Sequence, residues 1–204
     1  ITDGQHDVML FSDAGKAVRF DENDVRPMGR TARGVRSMNL GDGHRVIAML
    51  VAPAEAAEGT EAAVVDANGN PIPSSVLTAT ENGYGKRTPI VEYTRHGRGT
   101  KGMIAIQTSE RNGKVVAAAL VSPEDQIMLI TTGGVLVRTR VSEIREMGRA
   151  TQGVTLINVD EGTRLSGLQR IAESDSDEEG DDANDGEVSS DPVSGSSSDV
   201  AGDA

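Results

Sequence analysis

The sequence predicts an all-β fold of about three propeller-like blades, each built from four antiparallel strands. Three observations lead to this prediction: an internal repeat, short β-branched runs bounded by glycine, and the lack of any sustained helical period. The chain has 204 residues, and we assign residues 1–172 to this domain and residues 173–204 to a disordered tail. A body of that length is sufficient for one domain with a sizeable core.

The repeat is visible without gaps when residues 11–35 are laid over 79–103 and 130–154, at offsets of 68 and 119 residues. The second spacing is therefore 51 residues, and the first is 17 residues longer. The excess matches residues 55–73, which are rich in Ala, Glu, Asn and Pro and which we predict to be an inserted surface loop. Five positions are identical in all three copies, and in the first copy they are Gly15, Arg19, Gly29, Arg30 and Gly34.

Each copy is expected to form one blade. The predicted blades span about residues 4–54, 74–124 and 125–172. In the first copy the predicted strands are about Val8–Phe11, Lys16–Phe20, Val35–Leu40 and Arg45–Val51. In the third copy Thr131-Thr132-Gly133-Gly134 connects two apolar runs, which is typical of a hairpin because glycine adopts positive φ. Since three blades are too few to close a wheel and the chain begins with Ile, we expect a partial wheel.

The net charge of −12 comes entirely from the predicted tail. Residues 173–204 contain 12 acidic residues and no basic ones, which leaves 20 basic and 20 acidic residues in the body. The tail has no aromatic and few aliphatic residues, so it buries too little surface to offset its ordering entropy. An acidic average therefore does not exclude a polyanionic partner for the body.

A basic loop between the second and third predicted strands is the strongest functional signal. In the three copies it reads Gly29-Arg30-Thr31-Ala32-Arg33-Gly34, Gly97-Arg98-Gly99-Thr100-Lys101-Gly102 and Gly148-Arg149-Ala150-Thr151-Gln152-Gly153. Such cations neutralise phosphate, and their regular spacing predicts a basic rim that binds duplex DNA. Two Phe and two Tyr are too few for base stacking along a single strand. The loop residues predicted to contact DNA are Arg26, Arg30, Arg33, Arg36, Arg95, Arg98, Lys101, Arg145 and Arg149.

Two interpretations remain open for the arginines that recur within the second strand, Arg19, Arg87 and Arg138. They contact DNA, or they pair between blades with the acidic residue that recurs five positions later, which is Asp24, Glu92 or Glu143. We add Lys86 and Arg140 from the same strands to the candidate DNA contacts.

No catalytic or metal-binding constellation is evident. The chain has no Cys and three separated His, so it lacks the ligand clusters typical of zinc sites. The longest apolar run, Val46 to Ala54, is too short to span a membrane, and no secretory signal is visible. We therefore expect a non-enzymatic domain without a cofactor. The absence of Cys fits a reducing compartment, so we expect the domain to be cytoplasmic.

Specific strings in the second and third copies resemble the C-terminal domain of the DNA gyrase A protein. They are Asn82-Gly83-Tyr84-Gly85-Lys86-Arg87-Thr88, Thr100-Lys101-Gly102, Leu136-Val137-Arg138-Thr139-Arg140-Val141-Ser142-Glu143-Ile144, Gly148-Arg149 and Thr151-Gln152-Gly153-Val154. The resemblance covers residues 1–172, and the acidic tail is also similar. The equivalent domain of topoisomerase IV is the second choice.

The resemblance implies a β-pinwheel, in which neighbouring blades exchange a strand and duplex DNA wraps around the basic rim. It also implies that the rest of gyrase A and its gyrase B partner supply catalysis, with ATP and Mg²⁺ bound outside this chain, to introduce negative supercoils. The family's hallmark box, Gln-Arg-Arg-Gly-Gly-Lys-Gly, is absent, and the three loops look like degenerate copies of it. Gln152 departs from the basic pattern in the third loop. The alternative function is a protein-interaction module whose basic belt docks an acidic partner. For the tail, two roles stay open: it competes with DNA for the basic rim, or it only keeps the protein soluble.

Overall fold

The computed structural model describes residues 2–54 and 74–171. The predicted insertion at 55–73 and the predicted tail at 173–204 lie outside the described residues. The described parts contain β-strands and short 3-10 turns but no α-helix, which confirms the all-β prediction. None of their helical segments has the length and apolar character needed to cross a membrane.

Eleven strands occur in the described ranges, with hairpins where the repeat predicts them. They are β1 (His6–Ser12), β2 (Lys16–Asp21), β3 (Val46–Pro53), β4 (Ser75–Thr80), β5 (Tyr84–Pro89), β6 (Met103–Ile104), β7 (Val115–Val121), β8 (Gln126–Thr131), β9 (Leu136–Arg140), β10 (Val154–Thr155) and β11 (Leu165–Ile171). The sheet orders are β3-β1-β2-β6, β10-β5-β4-β7 and β11-β8-β9. We call these sheets blades 1, 2 and 3.

Neighbouring blades exchange a strand, as the resemblance to the gyrase domain implies. The two-residue strand β6 lies in the second repeat but pairs with β2 of blade 1, where Ala17 faces Met103. The strand β10 lies in the third repeat but pairs with β5 of blade 2, where Gly85 faces Val154. The second and third repeats therefore each complete the sheet of the repeat before them.

The prediction of a third strand at Val35–Leu40 is wrong. Within the described residues this segment forms only an isolated bridge, from Met38 to Thr100. The reason is that the third strand of a repeat pairs with the preceding blade, and no described blade precedes blade 1. Blade 3 has three strands rather than the predicted four, because no repeat within the described residues follows it to supply an exchanged strand.

The blades stack face to face through two apolar clusters. Between blades 1 and 2, Met9 and Phe11 pack with Val76 and Tyr93, and the rings of Phe11 and Tyr93 meet edge to face at 5.9 Å. The cluster between blades 2 and 3 includes Leu77, Ala79, Ile127, Leu129 and Val141. Full burial of large apolar side chains contributes about 1.5–3 kcal/mol each, so these clusters are the main source of blade cohesion.

Two hairpin glycines allow the exchanged strand to approach closely. Gly15 and Gly83 have φ of 74° and 80°, in the left-handed region that favours glycine. A Cβ at Gly15 would lie 2.2 Å from the carbonyl oxygen of Ile106, and a Cβ at Gly83 would lie 2.2 Å from that of Ile157. The hairpin turn of one blade is therefore shaped to receive the backbone of the next repeat.

Candidate nucleic-acid interface

The second and third basic loops each contact the segment that follows the preceding loop. Each of these two loops runs from a 3-10 turn at the end of the second strand towards the exchanged strand, so it crosses from its own blade to the preceding one. The N–H of Gly99 donates to the carbonyl oxygen of Ser37 at 2.7 Å, and the N–H of Gln107 donates to the carbonyl oxygen of Thr151 at 2.9 Å. The strand exchange thus places the three loops in one continuous row.

Most of the predicted DNA contacts are exposed on this row or beside it. The exposed residues are Arg26, Arg30, Arg33, Arg36, Arg95, Arg98, Lys101, Arg138, Arg140 and Arg145. Seven of their side chains form no ion pair or hydrogen bond with another residue of 2–54 or 74–171. These seven, which we call the open cations, are Arg26, Arg30, Arg33, Arg36, Lys101, Arg140 and Arg145.

The arginine that follows the first loop glycine has a structural role that the sequence did not reveal. Arg98 donates from Nη1 to the carbonyl oxygen of Arg36 at 3.2 Å and from Nε to that of Asp24 at 3.0 Å. Arg149 donates from Nη1 to the carbonyl oxygen of Ile104 at 3.2 Å. Ile104 occupies the repeat position of Arg36, so both arginines fasten their loop to the preceding repeat. Their identity in all three copies was the available signal, but it did not distinguish this role from DNA contact.

Arg95 is exposed but largely neutralised. Its guanidinium lies 2.7 Å from a carboxylate oxygen of Asp7 and 3.4 Å from one of Asp21. It therefore links blade 2 to blade 1, and it has less charge available for phosphate than the open cations.

Arg19 lies inside the junction of blades 1 and 2 and is only 1% exposed. Its Nε donates to Asp7 at 2.6 Å, and its Nη1 donates to the carbonyl oxygens of Ile90 and Tyr93 at 3.2 and 3.1 Å. A buried guanidinium with these partners has no access to a phosphate. The position of Arg19 therefore favours the interpretation of a link between blades over DNA contact.

The other two arginines at this repeat position differ in their surroundings. Arg87 is half-buried and donates from Nε to the carbonyl oxygen of Ile144 at 2.8 Å, in the same way that Arg19 contacts the second repeat. Arg138 is exposed and donates to the side chain of Gln126.

The partners of these arginines differ from the pairing that the repeat suggested. Where a link between blades forms, the arginine binds carbonyl oxygens of the next repeat, and Arg19 also binds Asp7. In the described ranges the recurring acids Asp24, Glu92 and Glu143 are not the side-chain partners of these arginines. The link between blades is therefore made to the backbone rather than to an acidic side chain of the next repeat.

Lys86 is buried rather than exposed on the rim. Its Nζ donates to the carbonyl oxygens of Gly148 and Arg149, the latter at 2.6 Å. Burial lowers the pKa of Lys86 to about 8, an effect that the Glu92 carboxylate opposes and the Arg149 guanidinium reinforces. Glu92 also accepts the backbone N–H of Arg149 at 2.9 Å. Blade 2 thus holds the third loop through Lys86 and Glu92.

One group of potential metal ligands occurs among the described residues. The ligand atoms of Asp3, His6 and Glu22 lie within 4.8 Å of one another. The nearest oxygen of Glu22 already accepts the N–H groups of Gly4 and His6, at 2.7 and 2.9 Å. We interpret this cluster as a hydrogen-bonded corner that fixes the start of β1.

Comparisons with known proteins agree with this architecture. A family model described as DNA gyrase C-terminal domain, beta-propeller, matches residues 6–53, 74–122 and 125–172. The DNA gyrase A protein of Escherichia coli (strain K12) is 49% identical over 173 residues, which cover 85% of this chain and 18% of the relative. The DNA gyrase A protein of Pseudomonas aeruginosa is also 49% identical over 173 residues, with 85% and 17% covered. The chain therefore spans about a fifth of the length of these curated relatives.

Solved structures give the same result for the fold. The chain matches a structure of the DNA gyrase A C-terminal domain with a TM-score of 0.70 at 25% identity, covering 84% of this chain and 52% of that one. A crystal structure of the C-terminal domain of DNA topoisomerase IV matches with a TM-score of 0.69 at 22% identity, covering 83% and 48%, which shows a shared fold. From the family match and the curated relatives together, the chain belongs to the DNA gyrase C-terminal domain family.

Proposed function

We propose that this chain is a noncatalytic domain that binds duplex DNA along its row of basic loops and bends the duplex around the rim. The observation that carries the proposal is the set of open cations, six on the basic loops and their flanks and one, Arg140, at the end of β9, which have no acidic partner among the described residues. Contacts to phosphate give affinity without sequence preference. The sheets and their 3-10 turns offer no helix or aromatic platform for reading bases, so we expect backbone contacts to dominate.

Within a whole gyrase, we propose that the domain wraps a DNA segment so that the enzyme introduces negative supercoils. The remainder of gyrase A and the gyrase B protein are the partners, and ATP and Mg²⁺ act at sites outside this chain. Family membership supports this assignment, and with it we propose a cytoplasmic location for the domain.

The binding proposal is tested by alanine replacement of four open cations, Arg26, Arg33, Lys101 and Arg145. A matched control replaces four exposed basic residues outside the loops, Arg45, Arg111, Lys114 and Arg164. The two variants have the same net charge and differ in the location of the lost cations. Because the control also removes the Arg164–Glu81 ion pair, circular dichroism checks that both variants are folded. In fluorescence anisotropy with a duplex of random sequence, we expect the loop variant to lose roughly 10- to 100-fold in affinity and the control to change little. Equal losses would reject the rim, and no duplex affinity at low salt would favour the protein-interaction alternative.

We also propose that the acidic segment predicted at 173–204 competes with DNA for the basic loops. Its 12 acidic residues follow a neutral body whose cations are clustered, so it raises the local concentration of competing negative charge. Deleting residues 173–204 is then expected to tighten duplex binding most at low salt. Equal affinity with and without the segment would leave it a solubilising role only.

A further inference from the structure

A buried carboxylate holds a histidine at the turn between β1 and β2. Asp13 is 3% exposed, and its Oδ1 atom lies 2.9 Å from Nδ1 of His44. The same oxygen accepts the backbone N–H of Arg45 at 3.2 Å, and the N–H of Asp13 donates to the carbonyl oxygen of Arg45 at 3.0 Å. Backbone hydrogen bonds in both directions therefore fix the carboxylate, and the carboxylate fixes the imidazole ring.

The carboxylate also determines which nitrogen of His44 carries a proton. Burial by itself would raise the pKa of Asp13, but the hydrogen bonds from the Arg45 N–H and from His44 outweigh burial and lower this pKa below its ordinary value. An ionised carboxylate only accepts hydrogen bonds, so Nδ1 of His44 is the donor. Nε2 has no hydrogen-bond partner in residues 2–54 or 74–171, and the His44 side chain is 37% exposed. Nε2 is therefore available to a ligand.

His44 lines a hollow of about 300 Å³ together with two lysines, Lys16 of β2 and Lys101 of the second basic loop. The hollow lies between the β1–β2 turn and the chain segment that contains His44. The N–H of Asn39 donates to the carbonyl oxygen of Thr100 at 2.8 Å, which fastens this segment to the second basic loop. Neither lysine forms an ion pair with a carboxylate of the described ranges. We call this space the His44 hollow.

The three basic side chains of the His44 hollow are replaced together at the same place on blade 2. The residues there that correspond to Lys16, His44 and Lys101 are Tyr84, Gly113 and Gln152. The N–H that follows His44 binds Asp13, and the N–H that follows Gly113 binds Glu81 in the same way, which gives the correspondence. Arg111 lies over the tyrosine ring, with its guanidinium carbon 4.7 Å from the ring centroid. The group of one histidine and two lysines is therefore a feature of blade 1 that blade 2 does not share.

We propose that the His44 hollow binds a backbone phosphate of duplex DNA, with His44 donating from Nε2 and with Lys16 and Lys101 supplying further positive charge. This inference rests on the proposed function and extends it, because Lys101 is one of the open cations and connects the hollow to the row of basic loops. Nε2 donates only when the imidazole is protonated, so the contact strengthens as the pH falls. A histidine changes its charge between about pH 5 and 8, which makes this part of the DNA interface sensitive to pH.

The charges around His44 remain basic overall. Protonation of the imidazole gives the buried Asp13 carboxylate a cationic partner. Arg45 and Lys114 act on the same carboxylate, and Arg45 approaches its second oxygen at 3.9 Å. In the segment 39–45 the one acidic side chain is that of Asp42, which is exposed. A phosphate in the His44 hollow therefore meets more cations than carboxylates.

Duplex binding by the full chain, measured by fluorescence anisotropy at constant ionic strength from about pH 5.5 to 7.5, tests this proposal. The affinity of the unmodified chain relative to His44→Gln is expected to grow roughly 3- to 10-fold from the upper to the lower end of this range. His44→Arg keeps a cation at every pH and is expected to bind tightly throughout. His6→Gln is the matched control, because His6 also contacts carboxylates but lies outside the hollow. The titration of His96 and Lys86 cancels in these ratios, because every variant contains both residues.

An affinity ratio for His44→Gln that stays constant across this range would reduce the contact between Asp13 and His44 to a structural role and overturn the proposal. An equal change of the ratio for His6→Gln would also overturn it. Circular dichroism at both ends of the pH range checks that each variant is folded.

Two further outcomes separate this inference from the proposed function and from a free anion. Binding that depends on the loop cations but not on His44 would overturn this inference alone, whereas no duplex binding at either pH would overturn the proposed function as well. Inorganic phosphate added at fixed ionic strength is expected to leave duplex binding unchanged. If it displaced the duplex from the unmodified chain and not from His44→Gln, the hollow would hold a free phosphate, and the DNA contact would be overturned.

Discussion

At the scale of single residues, Arg19 links two blades, while the open cations form no ion pair or hydrogen bond with other described residues. Arg19 is enclosed by Asp7 and two carbonyl oxygens of the second repeat, whereas Arg138 at the same repeat position is exposed. The same residue type at the same repeat position therefore has different surroundings, because only Arg19 has a described blade after it. Its environment, and not its pattern in the sequence, decides what the side chain does.

Replacing Arg19 with methionine is expected to destabilise the domain by about 3–5 kcal/mol, because it leaves the Asp7 carboxylate buried with less compensation. Arg138→Met is the matched control, with an expected change within about 0.5 kcal/mol. Urea denaturation followed by circular dichroism measures both. Similar effects of the two replacements would contradict the assignment of Arg19 to the junction.

Lys86 predicts a pH dependence of stability. The pKa of Lys86 is lowered to about 8 in the folded state, while the unfolded chain keeps a value near 10.4. Between these two values the folded state holds fewer protons, so the free energy of unfolding attributable to Lys86 rises with pH from about 8 to 10.4. We therefore expect the wild-type chain to gain stability relative to Lys86→Met over this interval. Parallel stability curves for the two proteins would show that folding does not lower the pKa of Lys86.

At the scale of structural elements, the exchanged strands organise both the fold and the basic row. β6 and β10 are only two residues long, yet the backbone just after each of them passes closely over a hairpin glycine of the preceding blade. This close approach holds the second and third basic loops across their junctions, beside the segment that follows the preceding loop. The strand exchange is thus what converts three separate loops into one continuous surface.

The hairpin glycines test this role. Gly83→Ala and Gly134→Ala both introduce a side chain at positive φ, which costs about 1–2 kcal/mol. Only Gly83 lies under an exchanged strand, so Gly83→Ala is expected to cost roughly 1–3 kcal/mol more through overpacking. Thermal or urea unfolding measures the difference. Equal costs would show that the exchanged strand adapts freely to a larger residue.

The repeat was sufficient to predict the all-β class, the blade number and the hairpins, because those features depend on local spacing and on glycine. It placed a strand at Val35–Leu40, where the apolar residues Val35, Met38 and Leu40 occur, whereas pairing there depends on a neighbouring blade. Similarly, the recurrence of Arg98 and Arg149 indicated that these arginines matter but did not identify their partners. Those partners are backbone carbonyl oxygens of another repeat. A side chain that donates to a backbone carbonyl oxygen of another repeat has no complementary side chain that the sequence could reveal.

At the scale of the whole molecule, the stack behaves as an array in which each blade contacts its neighbours. Its stability is then approximately a sum of blade and junction terms. The charge is also divided, since the body is neutral overall while its loops concentrate cations and residues 173–204 hold the excess of acid. The proposed binding of DNA depends on this local concentration of cations and not on the net charge of −12.

The salt dependence of duplex binding tests that account most directly. Each phosphate contact adds about −0.9 to the slope of log K against log salt concentration. If Arg26, Arg33, Lys101 and Arg145 each contact a phosphate, their joint replacement by alanine should reduce the magnitude of that slope by about 3.6. The charge-matched control variant should retain the slope of the unmodified chain. A loop variant whose slope equals that of the unmodified chain would contradict the basic rim as the site of DNA binding.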